Sequence, residues 1–88
     1  MALLVKVDGT TQELEVPKQG ALRFLQSLVG GYIEFAPCKH PDYEGIICDE
    51  EGKLKSKPIN QLATKMADCL PFDALVGDVL FFKEGEVD

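Results

Sequence analysis

The spacing of apolar residues changes period twice along the chain, and each change marks an element boundary. Leu3-Leu4-Val5-Lys6-Val7 is rich in strand formers, and Asp8-Gly9 after it is a hairpin signal because both residues tolerate positive φ. Residues 12–16 then alternate polar and apolar, which turns Leu14 and Val16 toward a core until Pro17 removes a ladder donor. From Gly20 the spacing becomes helical. Leu22, Leu25, Leu28 and Val29, with Ala21 and Phe24 beside them, form one wide apolar face. This predicts a helix over residues 20–29 packed across a sheet, with Leu22, Leu25 and Leu28 among the most buried side chains. Gly30-Gly31 stops it, because glycine readily adopts the left-handed backbone that ends a helix. A strand follows at once over residues 32–36, with Ile33 and Phe35 on one face and Tyr32 and Glu34 on the other.

Residues 37–44 read as a polar loop, and Gly45-Ile46-Ile47-Cys48 as a short apolar strand. Asp49-Glu50-Glu51-Gly52 is a turn, with Lys53-Leu54-Lys55 leaving it extended. Pro58 suits the first position of a second, shorter helix carrying Ile59, Leu62, Ala63 and Met66. Pro71 and Asp73 mark a loop. The final strand, residues 76–82, is apolar on both faces at Leu80-Phe81-Phe82, so it is expected to lie centrally or sandwiched. The tail from Gly85 is polar and expected to fray. The order is β-β-α-β-β-α-β, a single α+β domain over residues 1–88 with one mostly antiparallel sheet, one principal helix and a second short helix. It is the element order of a β-grasp, a likeness that carries no function.

Composition narrows the partners. Fifteen acidic against nine basic residues give a net charge of -6, which opposes nucleic-acid binding. No apolar run approaches the length of a membrane span, so a soluble, cytoplasmic protein is expected, with no membrane partner. Lys53, Lys55 and Lys57 are alternate residues that could line one side of an extended segment, as a solvated edge or as a phosphate site. Cys38, Cys48 and Cys69 are odd in number and widely spaced, and Cys48 reads as a buried small hydrophobe. With His40 they make four possible zinc ligands, but without paired ligand spacing. Neither a metal, a disulfide nor a cofactor is expected.

Four blocks carry a family likeness: residues 25–34 (LQSLVGGYIE), residues 47–54 (ICDEEGKL), Pro58-Ile59-Asn60, and residues 73–82 with Val76-Gly77 inside. In these the chain resembles a family of short proteins from bacteriophages and other mobile elements, catalogued as a domain of unknown function. The resemblance implies a viral or mobile-element origin. It implies no activity.

Catalysis needs a nucleophile with a base, or paired carboxylates in a pocket, and neither is evident. His40 is the only imidazole and sits in a polar loop; Asp49, Glu50 and Glu51 form an acidic turn; Ser27 lies in a helix without a partner. A hydrolase using His40 and the acidic turn is the weakest reading. The candidate site joins the bare backbone of Gly30 and Gly31 with Tyr32, Glu34 and Asn60 in one small polar recess. Backbone amides, an aromatic plate and an amide edge would suit a nucleotide-like ligand. The structural alternative is a half-exposed strand face and a local cap at Asn60. The expectation is a non-catalytic protein that contacts and modulates a host protein in the host cytoplasm. The alternative is a sponge that sequesters a nucleotide-derived signal at an oligomer interface. A homodimer is expected, with Tyr32 near the contact or beside a pocket it completes.

Overall fold

Burial on two faces of one sheet organises the chain, as seen in a computed structural model whose described residues are 1–67 and 74–87. Strands β1 (Ala2–Val5) and β2 (Thr11–Leu14) form a hairpin. Its turn is closed by the Lys6 and Gly9 amides and by the Asp8 carboxylate, which accepts from the Thr10 amide and hydroxyl. Helix α1 (Ala21–Val29) leads into β3 (Ile33–Pro37), followed by β4 (Gly45–Asp49), α2 (Gln61–Ala67) and β5 (Val79–Phe82). The five strands order as β2-β1-β5-β4-β3, and every pairing is antiparallel. The expected α+β class and element order are present.

The sheet has a helix on each side. Under α1, Ala2, Leu4, Ile47, Leu80 and Phe82 pack with Leu25 and Val29. On the other face Val5, Ile46, Val79 and Phe81 pack with Ala63 and Ala67 of α2. All four residues of β5 are buried, so the strand read as apolar on both faces is the central one.

Four expectations need correction. Leu22 is 57% exposed, although Leu25 is buried and Leu28 half-buried. Helix α1 rests on β3, β4 and β5, and Leu22, about 60° round the helix from Leu25 and in its first turn, falls outside the supported strip. The segment after Asp49 does not run extended. Residues 51–56 fold into successive turns, with Ser56 at φ 57. The second helix starts at Gln61, not Pro58. Ile59 precedes it, exposed and bridged to Val76, so β5 starts only at Val79. Finally, the tail is tied down: Val87 packs against the α1 core, and Glu86 accepts from the Lys83 amide and pairs with the Met1 amino group at 3.1 Å. The expected loop at Pro71 and Asp73 lies outside the described residues, as does Cys69.

Candidate functional site

The glycine pair closes α1 and is covered by the chain's own side chains. Gly30 takes the left-handed conformation at φ 81, and its amide donates to the Gln26 carbonyl at 2.8 Å. The Gly31 amide donates to the same carbonyl at 3.2 Å. Both amides are thus engaged within the helix end. The carbonyls exposed at this terminus attract cations, and α1 carries no basic residue in its own last turn. Lys57 Nζ instead donates to the Val29 carbonyl at 2.6 Å and Lys55 Nζ to the Gly30 carbonyl at 3.4 Å.

Asp49 holds both lysines in place. Its side chain is 1% exposed and accepts from Lys57 Nζ at 2.7 Å, Lys55 Nζ at 3.0 Å and the Glu51 amide at 2.9 Å. Burial alone would raise its pKa. The hydrogen bonds from Lys57, Glu51 and Lys55 outweigh that and hold it at about 2. The two glycines therefore do different work. Gly30 provides the left-handed corner, whereas Gly31 provides space: a Cβ there would lie 2.6 Å from Lys55 Nζ and 2.7–2.8 Å from the Asp49 oxygens. The lysines expected as a solvated edge, and the Asp49 expected in a solvated turn, are a clamp on the end of α1.

The strand expected over residues 32–36 runs instead over 33–37, so Glu34 lies on it and Tyr32 in the bend just before it; both are exposed, with Tyr32 at 67%. The Tyr32 carbonyl accepts from the Glu50 amide at 2.8 Å. Asn60 is not with them. It is fully buried as the N-cap of α2, where Oδ1 accepts from the Ala63 amide at 3.0 Å. Its Nδ2 donates to the Val5 carbonyl at 2.8 Å and the Gly77 carbonyl at 2.9 Å, which ties α2 to β1 and to the approach to β5. With no accessible surface, Asn60 offers no edge to a ligand. The structure thus gathers Gly30 and Gly31 with Asp49, Lys55 and Lys57, and Tyr32 with Glu34, but not the five residues in one recess.

Over residues 1–88 the chain matches the family described as a domain of unknown function, DUF3846. The chain belongs to that family. No curated protein and no solved structure matches it.

In this DUF3846 domain His40 and the acidic turn lie at opposite ends of β4, about 13 Å or more apart at strand spacing. His40 Nδ1 accepts from the Asp42 amide at 3.2 Å, and its ring leans on Tyr43 with centroids 5.2 Å apart. Burial, then the charges of Glu34 and Asp49, push the Cys48 thiol up to about 11, which keeps it from acting as a thiolate. Among the described residues no group of three or more His, Cys, Asp and Glu could hold a metal ion, and no helix is long and apolar enough to cross a membrane.

One feature of the DUF3846 surface escaped the sequence reading. Beside β3 an open recess of about 490 Å³ is lined by Phe35, Pro37, Glu44, Phe82 and Glu84 among others. The Phe35 and Phe82 rings meet edge to face, 5.9 Å apart, and Phe82 lies so close over Gly45 that a Cβ there would come within 2.9 Å. Phe35 was expected in the core because it alternates with Ile33. It is 53% exposed, since β3 is the last strand of the sheet and the core under α1 takes in Ile33 but not Phe35. The only sequence signal was Gly45 opening an otherwise bulky strand.

Proposed function

We propose that this DUF3846 chain is a non-catalytic binding protein of a phage or mobile element, acting in the host cytoplasm by contacting and modulating a host protein. One observation carries the reading: Phe35 on the edge strand β3 and Tyr32, the residue just before it, both stand exposed. Aromatic side chains are enriched at interfaces because they bury a large area at low entropic cost. A paired strand also presents Phe35 rigidly. The nucleotide-sponge alternative has less support, because the Gly30 and Gly31 amides it would use already donate to Gln26.

The test is quantitative capture from host cells with the parent chain and with Tyr32→Ala. Both variants must first show the same circular dichroism and melting point. The expected result is one host protein retained by the parent and depleted on the variant. Equal retention of every protein by both, or nucleotide released on denaturing the parent with no host protein bound, would overturn the reading.

A further inference from the structure

The Tyr32 carbonyl accepts from Glu50, so Tyr32 faces β4 across the antiparallel pair. Inward and outward backbone groups alternate with period two. Glu34 and Ala36 therefore also face β4, while the N–H and C=O of Ile33 and Phe35, and the C=O of Pro37, point outward. Among the described residues no strand lies beyond β3. Proteins commonly protect such an edge with lysines, bulges or an early proline. Strand β3 has no lysine, and its proline comes last, after the free donors of Ile33 and Phe35.

The surroundings of this edge select a chemistry. On the α1 side Phe35 and Phe82 offer an apolar seat with Glu44 and Glu84 at its rim. On the other side Glu34 is exposed beside Tyr32. We propose that the outer edge of β3 takes an extended, basic segment of a partner protein as an added antiparallel strand. An apolar side chain of that segment sits over Phe35 and Phe82, lysine or arginine side chains on its other face lie near Glu34, and Glu44 and Glu84 add negative charge around the seat. Backbone hydrogen bonds supply the affinity in this mode, and alternate side chains the specificity. A second copy fits worse. Centring a two-fold pair on Glu34 sets Glu34 against its own copy. Centring it on Phe35 puts Pro37, which has no N–H, opposite Ile33. Each copy would also bring a net charge of -6.

This inference rests on the host-protein reading and specifies its surface. The probe is a fluorescein-labelled heptapeptide of alternating lysine and valine, followed by anisotropy and by amide hydrogen exchange of the full chain. The lysine peptide is expected to bind, and its glutamate counterpart to bind about tenfold or more weakly. Methylating the valine amides, which would face β3, should abolish binding, whereas methylating the lysine amides should not. Exchange at Ile33 and Phe35 should slow in the complex. The proposal is overturned if no peptide binds at millimolar concentration, if both charge types or the valine-methylated peptide bind equally, or if exchange at Ile33 and Phe35 stays unchanged. A dimer with those two amides already slow would assign the edge to a second copy instead. If the peptide fails while a Tyr32-dependent host protein is still captured, only the strand site falls. If the peptide binds and no host protein is captured, only the host-protein reading falls.

Discussion

Asp49 is buried with two lysines above it, so its charge is both a structural asset and a pH-dependent one. Asp49→Asn should cost about 2–4 kcal/mol, below the full value for a deeply buried pair because Lys55 and Lys57 remain 41% and 22% exposed. The folded carboxyl titrates at about 2, below its ordinary 3.8. Its contribution is therefore complete above about pH 4 and is lost as pH falls through about 2. Urea titrations from pH 7 to pH 2 should show this acid loss in the parent and a smaller one in Asp49→Asn. Equal slopes would remove Asp49 from the account. Gly31→Ala tests the same corner by crowding. It should cost about 1–3 kcal/mol without any left-handed strain, since its Cβ meets the fixed Asp49 carboxylate. An unchanged denaturation midpoint would mean that the clamp shifts freely. None of this was legible in the sequence. The acidic turn and the alternate lysines read as solvated because their partner, the end of α1, lies about 25 residues away.

At the scale of elements, local periodicity was informative and support from neighbours was not. Helix α1 and strand β5 were readable because their apolar positions repeat at helical spacing and on both strand faces. Leu25→Ala should cost about 2–5 kcal/mol, whereas Leu22→Ala should stay within about 0.5 kcal/mol. Thermal melts of the two variants check this, and similar shifts would mean that α1 is rotated from its described seat. The start of α2 was misplaced because Pro58 is a permissible first helical residue, while the decisive group is Asn60, whose partners lie on β1 and at Gly77. Phe35 was misassigned for a related reason. Alternation tells which face a residue shares, but not whether a helix extends over it.

For the whole molecule, two apolar clusters lie on either side of one sheet, and the expectation is that they need no cross-link. The melting point should be unchanged by a chelator and by a reductant. A clear drop with chelator would restore a zinc role for Cys38, His40, Cys48 and Cys69, and a drop with reductant would restore a disulfide. The candidate site was legible only in part. Tyr32 and Glu34 stand exposed as read, but the recess lies on the opposite side of β3, where Phe35 meets Phe82, Gly45 and Glu84 from distant parts of the chain.

The position of β5 also bears on how the chain is made. Of the five described strands it is the last in sequence and the middle one in space, between β1 and β4. As the chain leaves the ribosome, the β1–β2 hairpin and the α1–β3–β4 unit emerge first and share no strand pairing with each other. Until residues 79–82 arrive, each half presents an open edge and an uncovered apolar face. Pairing β5 with β1 closes a contact across more than seventy residues, a topology that slows folding. A chain shortened before residue 79 would lack the strand that joins β1 to β4, and its hairpin, alone, would be marginal in water.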